Sequence, residues 1–108
     1  MSTKKQIREV FRDSVFRRDN NKCVFCNNTS GLAAHHITNR SDIVNGGYVL
    51  ENGITVCAQH HLACELYHVT DGKEFHEGYH PDDLYRAIKS SKQQAIEASK
   101  KLCHRPSF

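Results

Sequence analysis

The chain has no apolar run approaching the roughly 18 residues that a membrane-spanning helix needs, although 38% of its 108 residues are hydrophobic. A membrane span is excluded on that ground. The opening MSTKKQIREVF lacks an apolar core of signal-peptide length, so the expected location is the cytoplasm. Repeats, low-complexity tracts and linkers are also missing, and 108 residues make one domain with a modest core. Something besides apolar packing has to help hold such a chain. An even set of cysteines is absent too: there are five, and Cys23 and Cys26 stand close together, which suits a metal better than a disulfide framework. Cys64 and Cys103 fall outside that pattern and are expected to be small buried hydrophobes or inert thiols.

Acids are scarce at both ends. Residues 1–22 hold seven Lys or Arg against three acids, and residues 86–108 hold six against Glu97 alone. Residues 23–85 carry just Arg40 and Lys73 against eight acids, yet contain seven of the eight histidines and four of the five cysteines. Basic flanks around a His/Cys-rich centre point to a polyanion held by the ends and a metal-dependent event in the middle. The plainer alternative is that the charges are solvated helix faces.

Ile7, Val10, Phe11 and Val15 recur at helical spacing while Lys5, Arg8 and Arg12 take another face, which predicts an amphipathic helix over 4–18. Asp19-Asn20-Asn21 is turn chemistry, and CVFCNNTSG places two cysteines around a short apolar pair as in a zinc knuckle. Residues 32–37 read as a strand and 48–56 as the returning strand of a hairpin, bent around Asn52-Gly53. A helix over 58–68, a loop or irregular strand pair over 69–80, and a last helix from Pro81 to about residue 102 complete the pattern.

Cys23-x2-Cys26 and Cys57-x2-His60 are two halves of a four-ligand site, each with the gap that lets a turn or helix start direct two ligands at one ion. Three thiolates and one imidazole make a closed tetrahedral zinc site, structural because no position remains for water. His61 cannot face the same ion as His60, since consecutive helical residues point about 100° apart. His35 and His36, on a strand, project to opposite faces. One of them can share a second metal with His61 while the other moves a proton, the division of labour that metal-assisted hydrolysis needs.

Together CVFC, AHHITNR, GGYVLENGITVC and AQHHLACE resemble the HNH endonuclease family over about residues 16–66. The resemblance implies an α+β fold with a small zinc-stabilised ββα-metal core, treble-clef-like, flanked by N- and C-terminal helices. In one domain, 1–108, it divides the chain into a basic N-terminal helix (1–22), the zinc and ββα-metal core (23–68), and a loop with a C-terminal helix (69–108). Residue by residue it implies His35 and His61 as ligands of a single catalytic divalent metal, His36 as general base, and Asn52 as the central Asn that holds the base strand through hydrogen bonds. Many members carry Asp where His35 stands and Cys where His60 stands. His35 removes a negative charge and leaves the catalytic ion open between Mg2+, Mn2+, Ni2+ and Zn2+.

Glu65 shares a helical face with His61 and is a candidate third ligand. Arg40, in the loop beside the base, is a candidate phosphate contact. Lys4, Lys5, Arg8, Arg12, Arg17 and Arg18 are candidate contacts to the nucleic-acid backbone. His68, His76, His80 and His104 show no partner in the sequence, and surface or capping roles are expected of them. The implied activity is metal-dependent hydrolysis of DNA, by nicking or double-strand cleavage, to 5′-phosphate and 3′-hydroxyl ends. By analogy with short stand-alone members, a phage or mobile-element setting and partner are expected, with the oligomeric state open. The rival readings are a zinc-stabilised module that binds DNA without cutting it and a protein-interaction module.

Overall fold

The computed structural model describes residues 3–102; Cys103 and His104 lie outside the described residues. Thr3 starts the first helix with a reciprocal cap: its hydroxyl accepts from Gln6 N at 3.1 Å, and the Gln6 side chain accepts from Thr3 N at 2.8 Å, satisfying two N-terminal donors. Helix α1 (Lys4–Arg18) buries Phe11 and Val15. Val10, expected beside them, is 65% exposed, because one helical step turns it off the buried line. After Asp19 the chain takes positive φ at Asn20 and Asn21 (60° and 56°), a left-handed conformation that Asn tolerates.

Arg18 departs from the sequence expectation. Its guanidinium donates to Leu50 O at 2.7 Å and Gly53 O at 2.6 Å and pairs with Asp19, whose carboxylate accepts from Thr55 N at 3.0 Å. The side chain is therefore occupied in tying α1 to the hairpin and is not free to grip a polyanion.

Strands β1 (Leu32–His36) and β2 (Gly53–Cys57) pair antiparallel, with Leu32 opposite Cys57 and His36 opposite Gly53. The returning strand was expected from residue 48. Instead residues 50–52 form a 3-10 turn, with Asn52 N donating to Val49 O at 3.0 Å, so the ladder starts only at Gly53. That glycine is required by contact: a Cβ there would lie 2.5 Å from Val15 Cγ2 and 2.8 Å from Phe11 Cζ. Its absence lets α1 lie directly on the hairpin.

Helix α2 (Ala58–Val69) leaves β2 without a loop, and no strand interrupts residues 70–80. The single last helix expected from sequence is two, α3 (Pro81–Ala87) and α4 (Lys92–Lys100). Lys89 takes φ 57°, and the Ser91 hydroxyl accepts from Gln94 N at 3.1 Å to start α4 afresh. His80 caps α3, its Nδ1 accepting from Asp82 N at 3.1 Å. Ile37, Ile54, Val56, Leu84 and Ala95 meet in the core between hairpin and C-terminal helices.

The described residues form a small α+β fold of one two-stranded sheet and four α-helices. Among the described residues no helix is long and apolar enough to cross a membrane. A two-stranded hairpin is marginal by itself in water, so its helices and side-chain clusters have to hold it.

Candidate functional site

Two ligand clusters flank the junction of β2 and α2. In the first, Cys23 and Cys26 come from the turn after α1, Cys57 ends β2 and His60 lies in the first turn of α2; their donor atoms all fall within 4.8 Å of one another. Cys26 Sγ and Cys57 Sγ are 3.8 Å apart, and Cys23 Sγ is 3.6 Å from His60 Nδ1. Tetrahedral bonds of about 2.3 Å to sulfur and 2.0–2.1 Å to nitrogen place sulfurs about 3.8 Å apart and sulfur and nitrogen about 3.6 Å apart. Those two separations suit one ion held between the four; Cys57 Sγ and His60 Nδ1, at 3.1 Å, sit closer. The sulfurs are too far apart for a disulfide. Burial works to raise the Cys23 thiol, but backbone N–H groups of Cys57, Phe25 and Cys26 outweigh it and hold the group below its ordinary value, favouring the thiolate that a metal binds. Cys64, by contrast, is buried and pushed up to about 12 by desolvation, the inert thiol expected of it.

The second cluster is His35, His61 and Glu65. Helical spacing brings the last two together, with His61 Nε2 3.0 Å from Glu65 Oε1. Across the gap from β1, His35 Nδ1 lies 3.2 Å from the same oxygen. His35 is only 2% exposed, and neither ring nitrogen has a hydrogen-bonding partner, since the approach to Glu65 is out of line for one. Buried imidazole nitrogens rarely go unsatisfied, and a cation between the three groups would satisfy this one. The side chains of His61 and Glu65 are 36% and 37% exposed, so this cluster is open to solvent where the first is filled by four ligands. Burial also keeps His35 below its usual value, favouring the neutral imidazole that a metal binds.

His36 does not face this cluster. Its ring stacks on Phe11 of α1 at 4.5 Å and meets the edge of Tyr48 at 4.9 Å. Burial, then the charges of His35, Arg40 and His68, push it down to about 4. It is therefore neutral at pH 7 and able to accept a proton. It lines a groove of about 530 Å³ together with Lys5, Arg8, Arg12 and the acid Glu9 from α1, Arg40 from the loop, and the small side chains of Ala33 and Ala34. Arg40 donates to the Tyr48 hydroxyl at 3.2 Å. Lys4 lines a neighbouring depression with Arg8 and Tyr48, and Arg17 is exposed and lines neither.

Asn52 is fully buried behind the site. Its Oδ1 accepts from Thr38 N at 2.9 Å and Tyr85 OH at 2.7 Å, and its Nδ2 donates to Thr38 O at 3.1 Å and Gly47 O at 3.2 Å. The amide's full capacity is used, clamping the chain two residues past His36. Asn52→Asp removes both donors at constant size and is expected to lower stability by about 3 kcal/mol or more, since buried acceptors left alone cost about 1–3 kcal/mol each. Urea denaturation measures it, and an unchanged midpoint would refute the clamp.

Four partners were not legible in the sequence: Phe11 and Tyr48 on His36, Tyr85 on Asn52, and His68, which is half-buried and reaches the strand. His68 stacks on His35 at 5.1 Å and contacts His36 O at 2.9 Å. The one available signal was its position on the His61 and Glu65 face of α2. His76 is exposed.

No protein-family model, curated protein or solved structure matches the chain.

Proposed function

We propose that the protein is a metal-dependent DNA endonuclease of the HNH kind, with a structural zinc on Cys23, Cys26, Cys57 and His60. The observation that carries the proposal is the pairing of an open His35, His61 and Glu65 cluster with a neutral His36 on the next strand position, lining a groove with four cationic side chains against one acid, Glu9. A divalent ion held by His35, His61 and Glu65 would place positive charge against the phosphate and the departing 3′ oxygen.

The chain's own groups do the rest. His36 takes a proton from water as the oxygen attacks phosphorus in line and the P–O3′ bond breaks; the departing 3′ oxygen takes a proton from solvent water, leaving a 5′-phosphate and a 3′-hydroxyl. A phosphate beside the imidazole raises its proton affinity from about 4 toward the range a general base needs, because an opposite charge favours the charged form. Arg40 pairs with a non-bridging phosphate oxygen, and Asn52 keeps the strand end from drifting.

A module that binds DNA without cutting has use for the four-ligand cluster and the basic groove but none for a second cluster with orphaned buried imidazole nitrogens. Incubation of supercoiled plasmid with Mg2+, Mn2+, Ni2+ or Zn2+ tests the proposal. Nicked or linear product is expected with at least one ion; binding without cleavage in every case would favour the module.

The groove also sorts the basic residues. Replacing Lys5, Arg8 and Arg12 together by Gln is expected to lower DNA affinity and flatten the log K against log salt slope by about 2–3, at about 0.9 per lost phosphate contact. Arg17→Gln, off the groove, should leave the slope in place. Equal effects from the two variants would show that the groove is not where DNA binds.

A further inference from the structure

We infer that His68 is a positioning residue for both histidines of β1, an inference that rests on the nuclease reading above. Residues 61, 65 and 68 follow at i, i+4 and i+7 and so share one face of α2. His61 and Glu65 turn to the open cluster; His68 reaches past it to the strand. A carbonyl only accepts, so His68 Nε2 carries the proton and donates to His36 O at 2.9 Å, a contact 32 residues apart in sequence. The same ring stacks on His35 at 5.1 Å, inclined by 28°.

The physical need for such a bond follows from the strand. Ile37 N donates to Asn52 O at 2.9 Å and the Asn52 side chain clamps Thr38, so Asn52 acts on the chain beyond His36. It leaves the His36 carbonyl without a partner, and the His68 bond supplies one. Side chains at 35 and 36 project to opposite faces, so a tilt of this peptide moves the metal ligand and the base in opposite senses. One bond at His36 O holds both. His68 is not a further ligand, since its Nε2 is occupied by the carbonyl and the convergent set is His35, His61 and Glu65.

Two variants separate the ring from the donor. His68→Phe keeps an aromatic ring against His35 and loses the donor; His68→Gln keeps an N–H donor at similar reach and loses the ring. The wild type and both variants are compared by steady-state plasmid cleavage, by calorimetric Mn2+ titration and by thermal melting. His68→Phe is expected to lower kcat by about 10- to 100-fold, the usual effect of removing a group that orients a ligand, with KM unchanged and Mn2+ still bound. His68→Gln is expected to recover most of that loss.

A His68→Phe variant with wild-type kcat overturns the inference. So does a His68→Gln variant as slow as His68→Phe, which would show that the donor is not what matters. Loss of Mn2+ binding in both variants would make His68 a ligand. Failure of the wild type to cleave with any ion would overturn the nuclease reading, and this role with it; the wild-type reaction alone tells that failure from the others.

Discussion

His36→Ala is expected to lose plasmid cleavage by about a hundredfold or more, the usual contribution of a general base, while keeping DNA affinity and the stoichiometry of both metals. The imidazole also packs on Phe11 and Tyr48, so alanine opens a gap that costs stability of its own. His36→Gln fills most of that gap without a group able to take up the proton. The two variants should therefore differ in melting temperature and agree in inactivity. If His36→Gln cut at the wild-type rate, the base assignment would be wrong; if both lost DNA binding, His36 would belong to the binding surface and not to the chemistry.

Removing the metal proposed for Cys23, Cys26, Cys57 and His60 is expected to unfold the domain. Cys26 makes the sharpest case, because it is exposed and packs in no core. A Ser at an exposed position far from any special feature changes stability by within about 0.5 kcal/mol. Metal binding in small zinc domains is worth about 10 kcal/mol or more, comparable with the whole stability of a domain, about 5–15 kcal/mol. Cys26→Ser should thus collapse the cooperative melting transition seen by circular dichroism, and a strong chelator should do the same to the wild type. A melting curve unchanged by either treatment would refute a structural metal at Cys23, Cys26, Cys57 and His60.

Much of this arrangement was legible because it is local. A two-residue gap between ligands directs Cys23 with Cys26, and Cys57 with His60, whatever the rest of the chain does, and the structure brings the four together. The His61 and Glu65 pair is likewise written in the helical period. The strand start at Leu32 and the cap at His80 were readable for the same reason. The returning strand and the last helix were not. Hydrophobic pattern alone continues through residues 48–52 and 88–91, whereas a 3-10 turn and a left-handed Lys89 stop both.

The residues alone showed two groups of His and Cys that could hold metal ions, and basic ends around them, because ligand type, short spacing and charge are properties of neighbouring residues. Only the tertiary structure decided which cations face the histidine and which are occupied elsewhere. Arg8 and Arg18 look alike in the sequence, yet one lines the groove and the other binds Leu50 O and Gly53 O. It also decided what surrounds the reactive groups: Phe11 on His36, Tyr85 on Asn52, and His68 on a main-chain carbonyl. Each of these joins residues far apart in the chain, and a carbonyl in need of a donor leaves no mark on the pattern of side chains.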